Sequence, residues 1–275
     1  MKSQICDLLG IEFPMVAFSH CRDVVAAVSK AGGMGVLGAV GLSPEKLEIE
    51  LKWIDEHVDG KPYGVDVLIP NSYVGKGENL STDDLRTMIP QEHRDFRADL
   101  LEQHDINASD LRSGDESKEL EQQTNETLGA GLERAQEVLE VAFSHPIGLV
   151  ANALGVPPKW MLDMGKKNNV PVAALVGAKQ HAVKQAEAGV DIIVASGTEG
   201  GGHCGSVSTM VLVPEIRRAL KPYGNVPILA AGGICTGEQM AGIMAMGADG
   251  IWCASVFLPT SDSETSDNIK EKMVA

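Results

Sequence analysis

The chain has 275 residues, 44% of them hydrophobic, and carries 38 Asp and Glu against 23 Lys and Arg, for a formal net charge of −15 and a pI near 4.8. The acidic balance and the lack of a Lys/Arg-rich stripe exclude nucleic acid and anionic membrane as natural partners. No N-terminal charged-then-apolar segment and no apolar run of bilayer length is present, so a cytoplasmic protein with no membrane partner is expected.

In chain order, apolar segments bounded by Gly, Pro or Asn occur at residues 14–18, 34–37, 64–68, 147–151, 170–175, 191–195, 226–231 and 250–253. Helical patterns separate most of them. Val24, Val25, Val28 and Ala31 run up to Gly32; Leu47, Leu51 and Ile54 follow Ser43-Pro44, a cap with proline at the first helical position; Ala182 and its followers stop at Gly189. Eight strands alternating with helices predict a parallel sheet closed into a (β/α)8 TIM barrel. A barrel of about 250 residues uses nearly the whole chain, so one domain over residues 1–275 is expected.

The glycine motifs argue against a dinucleotide-binding fold. A Rossmann domain puts its Gly-rich turn after the first strand, with an acidic residue about 20 positions on. Here Ala31-Gly32-Gly33-Met34-Gly35 precedes the second strand and reads as a helix stop followed by a tight turn. No G-x-x-x-x-G-K motif followed by Ser or Thr is present, so nucleotide hydrolysis has no support.

One region breaks the barrel rhythm. Between Lys76 and Glu140 lie seventeen Asp or Glu against seven Lys or Arg, a net of −10. Helices are expected near residues 90–103 and 125–141, with an exposed linker at 109–124 between them. The length far exceeds an ordinary connection of about four to six residues. Residues 76–142 are therefore read as a helical, acidic insertion after the third strand. It is either a lid over the catalytic face, an oligomer contact in a homodimer, or a solvated excursion without a role.

The most informative stretch follows the sixth strand: Ser196-Gly197-Thr198-Glu199-Gly200-Gly201-Gly202-His203-Cys204-Gly205. Chemistry in such barrels occurs at the C-terminal ends of the strands, and glycines there let backbone pass close to a ligand. His203 is accordingly the first catalytic candidate, and His20, after the first strand, is the reserve base. Downstream, Ala231-Gly232-Gly233-Ile234 and Cys253-Ala254-Ser255 end the seventh and eighth strands, with a capping box at Thr236 and Gln239 and Gly247 as helix stop between them. Two adjacent turns of small residues offer free N–H groups where eight-stranded barrels commonly hold a phosphate.

Five cysteines, Cys6, Cys21, Cys204, Cys235 and Cys253, show no C-x-x-C spacing and read as free thiols. Adjacent His203 and Cys204 rarely converge on one ion and no third ligand is spaced for it, so no metal is expected.

Phe13-Pro14, the run from Val25 to Gly35, Tyr63-Gly64-Val65-Asp66, Glu199-Gly200-Gly201-Gly202-His203 and Ala231-Gly232-Gly233-Ile234 together make this chain resemble the nitronate monooxygenases, formerly called 2-nitropropane dioxygenases. The resemblance implies an FMN-dependent TIM barrel that oxidises alkyl nitronates with O2 to a carbonyl compound and nitrite. By analogy His203 matches the catalytic histidine. Gly232, Gly233, Ala254 and Ser255 fall at the FMN phosphate, Gly201 and Gly202 on the cofactor side of the histidine loop, and Ala17, Phe18 and Asp66 where strands approach the isoalloxazine ring.

Several positions depart from the family pattern. Ser196-Gly197 stands where Gln-Gly is frequent, Ala254-Ser255 where Gly-Thr or Gly-Ser is, and Asp66 where Asn is. Relatives usually continue past the eighth strand, whereas this chain stops at Ala275 in a helix expected from about Asp262, which implies a trimmed or short C-terminus. Three rival readings share parts of the pattern: a flavin-dependent enoyl-thioester reductase using NAD(P)H, a barrel binding a substrate phosphate without flavin, and a non-catalytic binding barrel.

Overall fold

The computed structural model describes residues 2–69, 87–108, 134–202 and 204–275. His203 and most of the acidic stretch lie outside these.

Eight parallel strands form a closed barrel in sequence order: β1 (Met15–Ser19), β2 (Met34–Gly38), β3 (Tyr63–Val67), β4 (Leu149–Asn152), β5 (Val172–Val176), β6 (Ile192–Ser196), β7 (Ile228–Ala231) and β8 (Gly250–Cys253). β8 closes on β1 through Met15, Val16 and Ala17 opposite Ile251, Trp252 and Cys253. Each expected strand is present, with ends that differ by at most two residues and with β8 matching at both ends.

Alternation along the strands sorts their side chains into two layers. Val16, Met34, Val36, Leu149, Ala151, Ala173, Ile192, Val194, Leu229 and Trp252 fill the interior. Tyr63, Val65, Val67, Val150, Val172, Ile193 and Ile228 face outward against the helices. The interior is thus packed, not a pore, and only its C-terminal mouth is free to host chemistry.

The outer ring holds α2 (Arg22–Lys30), α3 (Pro44–His57), α6 (Lys159–Asn168), α7 (Lys179–Ala188), α8 (Thr209–Ala219) and α9 (Gly237–Ala245). Local signals act as expected. The Ser43 hydroxyl accepts from Lys46 N–H, and Thr236 and Gln239 form the reciprocal capping box.

Of the excursion between β3 and β4, two helices are described. α4 (Gln91–Glu102) matches the first expected helix and buries only Ala98. α5 (Ala135–Ser144) lies further along the chain than the second expected helix, whose residues 125–133 fall outside the described set. Its Val138, Leu139 and Ala142 pack with Leu47, Leu51 and Ile54 of α3, so α5 occupies the barrel's helical ring.

Two terminal elements complete the fold. α1 (Gln4–Leu9) plugs the N-terminal end of the barrel with Ile5, Cys6 and Leu9, and its start is held by Gln4 Nε2 donating to Asp249 at 2.9 Å. Asp249 also receives the Arg217 guanidinium, which donates to Gly247 O at 2.8 Å and Val226 O at 3.1 Å. At the other end, α10 (Asp267–Val274) begins five residues after the expected start, because Ser266 and not Asp262 occupies the N-cap. No helix among the described residues is long and apolar enough to cross a membrane.

Candidate active site

The loop after β6 is bound to its neighbours by a specific lock. Glu199 Oε2 accepts the Thr209 backbone N–H at 2.9 Å, at the first turn of α8. The Thr209 hydroxyl lies 2.9 Å from the same oxygen, 3.0 Å from Gly232 O and 3.1 Å from Ala231 O, so its single proton is shared among three acceptors. Gly197 makes this approach possible: a Cβ there would collide with Thr209 N and Oγ1. Hydrogen bonding from Thr209 N–H is the main cause holding the Glu199 carboxyl below its usual range. Glu199 thereby caps α8 and fixes the β6 loop against the β7 loop.

Beyond this lock the loop opens to solvent. Gly201 and Gly202 are exposed, with no heavy atom within 4 Å of where a Cβ would stand. The loop then returns through Gly205, whose backbone lies against that of Gly177 at the end of β5.

β7 and β8 are adjacent, with Ala231 opposite Trp252, so their C-terminal turns emerge side by side. Gly232 and Gly233 adopt φ of 106° and 70°, the left-handed region that side chains avoid. Among the described residues, the N–H groups of Gly233 and Ser255 find no protein acceptor. Ser255 opens a short 3-10 turn, Ser255–Phe257, after Ala254. Free N–H groups on two neighbouring turns suit an anionic group such as a phosphate.

Phe18 points into the mouth and stacks on Trp252, with centroids 6.3 Å apart and planes inclined by 25°. His20 meets Phe18 edge-on at 5.1 Å, and its Nδ1 lies 3.0 Å from Gly38 O. A carbonyl only accepts, so Nδ1 carries the proton and a neutral His20 keeps Nε2 as its basic atom. Ala17 is placed differently: its methyl packs with Cys21, Val24 and Val28 toward α2, so it can meet a ligand only through backbone.

Asp66 is inward-facing on β3, between Gly38 of β2 and Ala151 of β4. It is 3% exposed, and its Oδ1 is sealed from solvent without a hydrogen-bond partner. Burial pushes its carboxyl well above the usual range.

Two clefts flank the mouth. One of about 290 Å³ lies beside β1 and β8 and is lined by Phe18, Ser19, His20, Ala254, Ser255 and the returning segment 263–265. The other, about 450 Å³, lies over β4, β5 and β6, between Leu154, Val156, Leu175, Ser196 and Cys204 on one side and His181, Lys184 and Gln185 of α7 on the other. Asn152 ties the β3 and β4 loops beneath it, accepting from Ile69 N–H at 2.9 Å and donating to Leu154 O at 3.0 Å.

All five cysteines are free, with Cys204 and Cys235 exposed. Burial, with Cys235 nearby, pushes the Cys253 thiol up to about 11, which makes it a poor nucleophile. Cys21, Asp23 and Glu264 each bring one ligand atom within 4.8 Å of the others at the rim of the smaller cleft, the two carboxylates being exposed.

Against known proteins, the family model described as nitronate monooxygenase matches residues 2–275. The chain belongs to the nitronate monooxygenase family. A Mycobacterium tuberculosis relative named as a monooxygenase is 50% identical over 276 residues, covering 100% of this chain and 71% of its own length. A Staphylococcus saprophyticus relative named as a nitronate monooxygenase is 25% identical over 285 residues, covering 98% of this chain and 72% of its own.

Among solved structures, nitroalkane oxidase from Streptomyces ansochromogenes superposes with a TM-score of 0.75 at 22% identity, covering 99% of this chain and 73% of that one. FabK from Thermotoga maritima gives 0.71 at 24% identity, over 100% and 68%. These two likenesses establish the barrel; the family match establishes a flavin-dependent oxidoreductase.

Sequence reasoning missed Thr209, Asn152 and Trp252. Thr209 had a signal, a threonine directly after Ser208 at a helix start. Trp252 was read only as part of a strand.

Proposed function

We propose that this member of the nitronate monooxygenase family binds FMN and oxidises alkyl nitronates with O2 to a carbonyl compound and nitrite. One observation carries the reading: Gly233 and Ser255, whose N–H groups are unpartnered among the described residues, lie on the turns after the adjacent strands β7 and β8, close in sequence to the inward-facing Trp252 that stacks on Phe18. That pairing of an anion cradle with an aromatic floor suits a phosphate-bearing flat cofactor. The glycine cradle, the backbone of Ala17, Phe18 and the orphaned Asp66 carboxyl are the groups that would hold FMN, with Gly201 and Gly202 leaving space at the loop tip.

Bound FMN supplies the electron acceptor; the protein supplies position and charge. The free N–H groups of Gly233 and Ser255 would hold the phosphate, with the small residues Gly232 and Ala254 letting it approach the two turns. The larger cleft, mostly apolar in its lining, takes the alkyl chain of the substrate. His203 hydrogen-bonds the nitronate when protonated, or removes a proton from a neutral nitroalkane when not. Glu199, through Thr209, fixes the root of the loop that presents His203.

The test is an anaerobic titration of the purified protein with an alkyl nitronate, followed by admission of O2. Bleaching of bound oxidised flavin and stoichiometric nitrite support the reading. Flavin that ignores nitronate but bleaches with NAD(P)H supports the enoyl-thioester reductase instead, and a protein that binds no flavin removes both.

A further inference from the structure

Among the described residues, Asp66 is the one buried carboxyl, and nothing around it compensates a charge. It stands in the upper part of β3, pointing inward, since Tyr63, Val65 and Val67 of the same strand face the helices. Its neighbours across the sheet, Gly38 and Ala151, offer no polar side-chain atom. Gly38 is overlain by the His20 and Phe18 rings, and His20 Nδ1 is engaged by Gly38 O. Among the described residues, no cation pairs with Asp66 and no N–H donates to the sealed Oδ1.

An isolated carboxylate in such a place neutralises itself by taking a proton. The protonated group then carries a hydroxyl donor that the flanking strands cannot satisfy, and buried donors are rarely left without acceptors. Asp66 is the fourth of the five residues of β3, so the barrel mouth, where the cradle and the aromatic floor point to a flat ligand, lies next to it along the strand.

We propose that Asp66 is a neutral carboxylic acid whose hydroxyl donates a hydrogen bond to an acceptor atom on the ring of bound flavin, and so stabilises the negative charge that the ring gains on reduction. This rests on the FMN reading above. An amide in its place would be a neutral donor of similar shape, whereas an ionised carboxylate would oppose reduction.

The test compares wild type with Asp66→Asn and Asp66→Leu, measuring the infrared carbonyl band of a protonated carboxylic acid, the FMN dissociation constant and the reduction potential of bound FMN. Leucine for an acid without partners should leave folding intact, which circular dichroism checks. Expected are a protonated-acid band in wild type that shifts when FMN is added and is missing in both variants, FMN affinity within about threefold of wild type for Asp66→Asn, and about tenfold weaker binding with a lowered potential for Asp66→Leu.

A missing band in wild type, or a potential raised well above wild type in Asp66→Asn, would mean that Asp66 is ionised and overturns the proposal. Unchanged affinity and potential in Asp66→Leu overturn the hydrogen bond alone. A wild-type protein that takes up no FMN overturns the hydrogen bond together with the proposed function, and the band of the apoprotein then reports the protonation state separately.

Discussion

Glu199 and Thr209 lock the root of the loop after β6: the Glu199 carboxylate receives the Thr209 backbone N–H at 2.9 Å, while the Thr209 hydroxyl reaches back to the carbonyls of Ala231 and Gly232. Three strand ends or loops are thereby coupled through one residue at the start of α8. A cap of this kind is worth about 1 kcal/mol, so Glu199→Ala should lose roughly that much stability at neutral pH in urea unfolding.

The same pair predicts a pH dependence with a definite sign. The folded-state value of Glu199 lies below its ordinary 4.5, so its contribution is fully present above 4.5 and is lost as pH falls through the lowered value. Unfolding at pH 7 and again at about pH 3 should show the gap between wild type and Glu199→Ala closing at the acid end; a gap independent of pH would refute the carboxylate's role.

A second site has the opposite sign. His145 Nδ1 lies 2.6 Å from Asp55 and Nε2 3.1 Å from Glu48, bridging the α5–β4 turn to α3. Burial pulls its pKa down, but these two hydrogen bonds outweigh burial and raise it above 6.5. Its contribution is therefore full below 6.5 and disappears as pH rises through the raised value. Stability measured from pH 6 to pH 9 should fall more for wild type than for His145→Asn.

Gly197 and Gly201 lie in one loop and should respond oppositely to the same substitution. A Cβ at Gly197 would strike Thr209, whereas one at Gly201 meets nothing within 4 Å. Gly197→Ala is expected to cost about 1–3 kcal/mol by overpacking and to weaken FMN retention, while Gly201→Ala stays within about 0.5 kcal/mol of wild type. Equal melting behaviour of the two variants would show that the loop is not held as described.

His203→Ala should retain FMN and lose about 100-fold or more in turnover with nitronate, in keeping with the usual contribution of a general acid or base. Flavin absorbance after gel filtration and steady-state nitrite formation measure the two quantities separately. Unchanged kinetics would remove His203 from the mechanism and bring forward His20, whose Nε2 stands free of the bond that engages Nδ1.

The barrel was legible in the chain because its signals are local. Apolar runs of strand length, Gly32 and Gly189 as helix stops, Ser43-Pro44 as a start and the Thr236–Gln239 box each act within a few residues, and each operates in the structure as read. α1 escaped notice because six residues are too few to show a helical period, and it exists only by plugging the barrel end with Ile5, Cys6 and Leu9.

The site was legible as residue types and not as an arrangement. The sequence by itself determined the alternation that closes into a barrel, the small residues after β7 and β8, and an acid at position 66. Tertiary structure alone decided that Ala17 faces α2, that Phe18 and Trp252 stack, that Glu199 serves as a helix cap, and that the sealed Oδ1 of Asp66 has no partner among the described residues. The physical reason is range. Propensity and capping depend on neighbours in the chain, whereas the state of a carboxyl depends on what the adjacent strands place beside it, here Gly38 and Ala151, twenty-eight and eighty-five residues away.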